Sequence, residues 1–159
     1  MSTLSVSLKR AGVADAETIW RMQIASFGDL LRKYRDYDTN PGNESLDRIR
    51  ARLEQTRTYF YFIMLEDVPV GAIRVVDVHD AGQKKRISPL FILPEYRGRG
   101  LAQRAIAMAE AIHGAHGWRL DTILQEAGNC HLYEKMGYRQ TGETRIINDR
   151  MTLVIYEKD

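Results

Sequence analysis

The stretch Pro94–Glu110, "PEYRGRGLAQRAIAMAE", sets two glycines and two arginines immediately before an alanine-rich pattern of helical period. Just upstream, Arg86–Leu93, "RISPLFIL", reads as a strand, so the glycines stand at a strand–loop–helix junction. Glycine lets a backbone approach a ligand closely and take conformations that other residues resist. The first turn of a helix has N–H groups without intrahelical partners, and the helix dipole adds roughly half a positive charge there. No acid occupies that turn, and Arg97 and Arg99 add cations beside it. Gly98 to Gln103 therefore form an anion site of the kind that holds a pyrophosphate. The plainer alternative is that Gly98 and Gly100 only end a strand and start a helix. The spacing is not that of a P-loop, and Gln103 stands where a dinucleotide fingerprint would need its third glycine.

Working outward, Leu4–Lys9 alternates apolar and polar residues as a short strand does. Ala14–Leu31 is helical, with Asp15 as N-cap and Trp20, Ile24, Phe27 and Leu31 on one face. Arg32–Asn43, "RKYRDYDTNPGN", is a loop, and Ser45–Gln55 resumes a helical period. Thr58–Leu65, "TYFYFIML", is apolar throughout, as in a strand buried on both faces. Glu66 and Asp67 turn the chain into a second strand, Val68–Val78, interrupted by Gly71. In the third strand, Arg86–Leu93, Pro89 has no N–H to donate and predicts a bulge. The helix that follows puts Leu101, Ala105, Met108 and Ile112 on one face and stops near Gly114–Gly117. Leu120–Leu124 is a strand, and Cys130–Met136 a short helix closed by Gly137. Tyr138–Ile147 and Met151–Glu157 are strands around the turn "NDR". This order predicts an α/β (α+β) fold, a mixed and mostly antiparallel sheet of about seven strands with helices on both faces.

The bulk numbers fit one domain spanning 1–159. A net charge of +2, from 23 basic and 21 acidic residues, gives no support to a nucleic-acid partner. The short basic run Lys84–Arg86 reads as the solvated end of a strand. A single cysteine, Cys130, excludes an internal disulfide and a multi-cysteine metal site. The N-terminal residues lack the apolar run of a signal peptide, and no segment reaches the ~20 apolar residues that cross a bilayer. The expectation is a cytoplasmic protein without a membrane or metal partner.

The glycine–arginine junction resembles the acyl-CoA loop of the GNAT superfamily of N-acetyltransferases, Arg/Gln-x-x-Gly-x-Gly/Ala, through Arg97, Gly100 and Ala102. "LYEKMGY", Leu132–Tyr138, is similar to the Leu-Tyr-Glu-Lys-x-Gly-Phe/Tyr signature of the same family, one helix and one strand downstream. The resemblance implies a splayed central strand pair, with the backbone of Leu90, Phe91 and Ile92 pairing with the pantetheine arm of acetyl-CoA. It implies pyrophosphate contacts from Arg97, Gly98, Arg99, Gly100, Leu101, Ala102 and Gln103. It matches Tyr133 to the tyrosine that protonates the departing thiolate. The family commonly has an asparagine seven residues before that tyrosine. Here the position is Glu126, while Asn129 stands three residues later. Either Glu126 has a different job, or the loop "EAGNC" is set differently and Asn129 serves the cofactor arm. Asp121 occupies a strand position where some members carry a glutamate base.

The implied reaction is direct attack of a primary amine on the acetyl thioester. An alkyl ammonium of pKa about 10.4 costs about 4.6 kcal/mol to deprotonate at neutral pH, so Glu126 and Asp121 are the candidate bases. Cys130 has no convincing base beside it except His131, which speaks against a covalent acyl intermediate. The loop Lys33–Glu44 places Asp36, Asp38 and Glu44 among Tyr34 and Tyr37, a composition that suits a cationic acceptor. The last hairpin brings Glu143, Arg145 and Asn148 to the same region. The leading expectation is a small-molecule amine acceptor. Acetylation of a protein N-terminus or lysine, and an acyl-CoA sensor without turnover, are the alternatives. Dimerisation is common in the family, but no interface is legible in the sequence.

Overall fold

The computed structural model describes residues 4–80 and 82–159. Met1, Ser2 and Thr3, the start of the stretch read against a signal peptide, lie outside them. The strands are β1 (Val6–Arg10), β2 (Thr58–Leu65), β3 (Val68–Val76), β4 (Lys85–Ile92), β5 (Trp118–Ile123), β6 (Arg139–Ile146) and β7 (Thr152–Lys158). The helices are α1 (Ala16–Tyr34), α2 (Leu46–Glu54), α3 (Leu101–His113) and α4 (Ala127–Lys135). They build one seven-stranded sheet in the order β1-β2-β3-β4-β5-β7-β6. Every pairing is antiparallel except β4 with β5. No helix among the described residues is long and apolar enough to cross a membrane.

The apolar run in β2 is buried on both faces because successive side chains alternate across the sheet. Phe60 and Phe62 pack with Ala72 and Phe91 against Ile19 and Met22 of α1 and Ile49 of α2. Tyr61 and Ile63 point the other way, into a core with Ile73, Val75, Trp118 and Tyr156 under Leu101, Ala105, Ile106 and Ala109 of α3. Each fully buried large side chain stabilises the fold by about 1.5–3 kcal/mol.

Two helix faces differ from the periodicity reading. In α1 the buried stripe is Ala16, Ile19, Met22, Gln23 and Ser26, while Ile24 is 40% exposed. The buried Gln23 donates its side-chain amide to the carbonyl of Pro41 at 2.7 Å. In α3 the stripe is Leu101, Ala105, Ile106 and Ala109, and Ile112 is exposed. The last turn instead directs His113 inward, where its ring bonds Tyr61 Oη and Asp77 Oδ2, each at 2.9 Å. Helix α1 also runs on through Tyr34, three residues into the expected loop, and closes on Arg35 at φ 54°. Asp15 does sit at its N-cap, but its carboxylate accepts from the amide of Gly12 rather than from the helix.

Pro89 produces the expected irregularity. Ile73 faces Leu90 and Val75 faces Ile87, so Ser88 and Pro89 together oppose Arg74 alone. The Arg74 guanidinium fills the bulge by donating to the carbonyl of Ser88 at 2.7 Å. Beyond the bulge β4 presses closely on β3. A Cβ built on Gly71 would lie 2.2 Å from the carbonyl oxygen of Phe91.

Candidate active site

Strands β4 and β5 pair only at Lys85–Trp118 and Arg86–Arg119. Beyond Arg86 they part, and β5 turns to pair with β7 along its whole length. The remainder of β4, including Leu90, Phe91 and Ile92, bonds to β3 on one side and has an open edge on the other. The splay expected from the resemblance is thus present, and it opens the sheet in the middle.

Two cavities meet in that opening. One, about 520 Å³, runs between α1 and the β4 edge to Arg97 and Ala102, with Glu126, Asn129 and Leu132 on its far wall. The other, about 270 Å³, extends over Arg86–Leu90 and Asp121–Ile123 toward the loop after α1 and the β6–β7 hairpin. Phe27, Leu30, Leu90, Asn129 and Tyr133 line both. Sequence reading placed Phe27 on a helix face but gave it no part in a site.

The larger cavity ends at the tip of α3. Gly98 and Gly100 adopt φ of 78° and 73°, a region that only glycine enters without strain. No side chain caps the helix, and the first backbone bond across its start is Arg104 N to Gly100 O at 3.2 Å. The amides of Gly98, Arg99, Gly100, Leu101, Ala102 and Gln103 have no partner among the described residues. The helix tip is an open donor array of the kind that takes an oxyanion. Arg99 stacks over Tyr96, its Cζ 5.4 Å from the ring centroid. Arg97 already has partners within the protein. Its Nε donates to Ile92 O at 3.0 Å and its Nη2 to Ser26 O at 2.6 Å, so it ties the end of β4 to α1. The reason is geometric: the tight Pro94–Tyr96 turn folds the arginine back over the strand it has just left.

Tyr133 sits where the cavities join, buried from α4 against Tyr138 and Tyr156. Burial, with the Asp121 carboxylate and the Cys130 sulfur nearby, pushes its phenol far above the ordinary value. It stays protonated at any physiological pH, as a proton donor must. Asp121 projects from β5 into the smaller cavity, exposed and without an ion-pair partner among the described residues. Cys130 is a buried thiol whose Sγ faces the carbonyls of Ile123 and Leu124 at 3.7 and 3.9 Å, with no hydrogen bond to His131.

Glu126 occupies the N-cap position of α4. Its Oε2 accepts from Lys33 Nζ at 2.7 Å and from the Tyr34 hydroxyl. Burial pushes this carboxyl up, but the hydrogen bonds from Lys33 and Tyr34 and the lysine charge bring it below its ordinary value. Among the described residues of the family-asparagine region, Asn129 is the side chain that reaches both cavities.

Two of the loop acids, Asp36 and Glu44, are already engaged within the protein. Asp36 is buried, and its carboxylate accepts from the amides of Asp38 and Thr39 and from the Thr39 hydroxyl. Glu44 lies 2.6 Å from Arg52 and accepts from Gln23. Tyr34 is tied to Glu126, and Tyr37 is 60% exposed. Of the hairpin residues, Arg145 lines the groove, Glu143 bonds Arg119, and Asn148 bonds the carbonyl of Tyr34. Arg86 also faces the groove, a position the basic run 84–86 did not reveal.

A family model described as the acetyltransferase (GNAT) family matches residues 24–138. No curated protein matches the sequence. Among solved structures, an acetyltransferase from Thermus thermophilus is similar over 98% of this chain and 97% of its own, at 18% identity and a TM-score of 0.73. Spermidine N-acetyltransferase from Vibrio cholerae, solved in complex with CoA and spermine, is similar over 95% of this chain and 93% of its own, at 16% identity and a TM-score of 0.75. A ribosomal-protein alanine N-acetyltransferase from Escherichia coli is similar over 96% and 92%, at 11% identity and a TM-score of 0.74. The splayed β4–β5 pair, the open tip of α3 and the family match to the segment containing both lead to one conclusion: the chain belongs to the acetyltransferase (GNAT) family and is an acetyl-CoA-dependent N-acetyltransferase.

Proposed function

We propose that the protein moves an acetyl group from acetyl-CoA directly to the primary amine of a small molecule. The observation that carries this reading is the meeting of two cavities at Tyr133 through the parting of β4 and β5. One cavity reaches Ala102 in the open first turn of α3, and the other ends among charged side chains. A thioester carbon at the junction is accessible to an amine arriving from the opposite side. The hydroxyl of Ser26, buried without a partner on the wall of the larger cavity, is left to bond an amide of the pantetheine arm. Asn129 is placed to do the same from α4.

In this reading Tyr133 gives its proton to the departing sulfur. A thiolate of pKa about 8.5 is already a fair leaving group, so the donation assists rather than enables. Asp121 is the base, through an ordered water, because its carboxylate is unpaired and faces the acceptor cavity. Glu126, held by Lys33 and Tyr34, positions α4 and with it Tyr133. The reaction is placed in the cytoplasm, where the lone thiol of Cys130 stays reduced.

The test is thiol release from acetyl-CoA over a panel of small amines and short peptides, repeated with Asp121→Asn. Turnover of a small amine, reduced about a hundredfold or more in kcat by the substitution, is the expected result. Tight CoA binding with no thiol release from any amine or peptide makes the protein a sensor and ends the enzymatic reading.

A further inference from the structure

The charges lining the acceptor groove point to the acceptor's chemistry. This step rests on the acetyltransfer reading above. Most acids near the groove already have partners: Asp36 serves its own loop, Glu44 faces Arg52, and Glu126 is held by Lys33. On the outer side of the groove a further cavity of about 280 Å³ is lined by Arg86, Arg119, Asp121, Glu143 and Arg145 over Leu153 and Ile155. There Arg119 takes both available glutamates, Glu143 at 2.8 Å and Glu157 at 3.1 Å.

Arg86 and Arg145 remain. Both line this cavity and the acceptor cavity, and neither has an ion pair or hydrogen bond among the described residues. They come from strands on opposite sides of the opening, β4 and β6, with β5 and β7 between them. Asp121 lines the same two cavities from β5 and is equally unpaired. The groove therefore presents two free guanidinium groups and one free carboxylate over an apolar floor. A polycation would meet two like charges there and a single acid. An amine that also carries an oxyanion meets a complement for each charge: its ammonium at Asp121 and its anion at the arginines, whose planar forks match carboxylate and phosphate oxygens.

We propose that the acceptor is a small amine bearing a carboxylate or phosphate group, and that Arg86 and Arg145 bind that anion. The two residues set specificity by holding the far end of the acceptor while its nitrogen faces the Asp121–Tyr133 junction.

Matched pairs of acceptors test this. Thiol release is compared for amino acids against their carboxamides, for phosphoethanolamine against ethanolamine, and for spermidine. The anionic member of at least one pair has the higher kcat/KM, and the pair that responds separates carboxylate from phosphate. Arg86→Gln and Arg145→Gln each lower kcat/KM for the anionic member about tenfold to a hundredfold, mainly through KM, and collapse the preference toward unity. The Kd for coenzyme A stays within about twofold, which shows that the variants are folded. A readout independent of turnover is the pair of Arg86 and Arg145 Nε–Hε resonances, which shift when the anionic amines are added and not when the neutral ones are. Preference for spermidine or a neutral amine, or variants that leave the preference intact, overturns the inference while leaving acetyl transfer standing. Absence of thiol release from every class, together with unmoved arginine resonances, removes both.

Discussion

Lys33 Nζ, near the end of α1, lies 2.7 Å from Oε2 of Glu126, the residue that starts α4. The same oxygen accepts the Tyr34 hydroxyl, and the carbonyl of Tyr34 accepts from Asn148 on the β6–β7 hairpin at 2.8 Å. The carboxylate thus fastens α4 to the end of α1, and the backbone of the same Tyr34 ties α1 to the hairpin.

Glu126→Gln keeps the shape of this fastening and removes its charge. We expect KM for acetyl-CoA and for the acceptor to rise about three- to tenfold, with kcat reduced by less. A general base would cost about a hundredfold or more in kcat. Steady-state kinetics with both substrates varied distinguish the two. A large kcat loss with KM unchanged would give Glu126 the proton-transfer role proposed for Asp121.

Tyr133→Phe removes the phenol proposed as proton donor while leaving an aromatic ring in the same buried position. We expect kcat to fall about tenfold to a hundredfold, at the lower end of general-acid effects because the thiol leaves readily. The phenol is pushed far above its ordinary value, so it remains protonated throughout an assay window of roughly pH 6 to 10. An alkaline fall in wild-type kcat that Tyr133→Phe abolishes would contradict this.

Gly71 is required by the contact between β3 and β4 rather than by its own dihedral angles. A Cβ there meets the carbonyl oxygen of Phe91 at 2.2 Å, a distance no side-chain carbon tolerates. Gly71→Ala must push β4 toward the open edge or break the local pairing. We expect a loss of about 1–3 kcal/mol in stability and a weaker Kd for coenzyme A. Denaturant melts and calorimetric titration measure the two. A variant of wild-type stability and affinity would show that the tight approach is not needed.

Buried Asp77 accepts from the ring of His113 at 2.9 Å and from the amide of His79 at 2.9 Å. Burial pushes its carboxyl up, but these partners outweigh burial and hold it below its ordinary value of 3.8. Its folded value is depressed, so its stabilisation is complete above about pH 4 and is lost as pH falls through the folded value. Asp77→Asn should lower stability at pH 7 by about 1–3 kcal/mol and flatten the acid slope of Tm below pH 4. An unchanged acid slope would place that proton uptake elsewhere.

The order of the elements could be read from periodicity and punctuation alone, because those signals are local. Thr58–Leu65 announces a doubly buried strand, Pro89 its neighbour's bulge, and Gly98–Gln103 the open helix tip. Helix orientation was less legible. In α1 and α3 the exposed Ile24 and Ile112 complete an apolar stripe on paper, whereas the sheet selects Ser26 and Ala109, small enough for close approach. Side-chain pairing was not legible at all. Lys33 and Glu126 are 93 positions apart, and Arg97 finds the carbonyl of Ser26 across 71. Which acids are spent and which arginines remain free is settled only by the folded chain. That difference engages Asp36 and Glu44 within the protein and leaves Arg86 and Arg145 without a side-chain partner among the described residues.

The central claim is that the diphosphate of coenzyme A rests on the unpaired amides at the start of α3. The direct measurement is a coenzyme A titration of ¹⁵N-labelled protein, following the backbone amide resonances. The account predicts large, saturable shifts at Gly98, Gly100, Leu101, Ala102 and Gln103, which disappear when pantetheine, which lacks the diphosphate, replaces the full cofactor. Saturable binding that leaves those five resonances unmoved would contradict it.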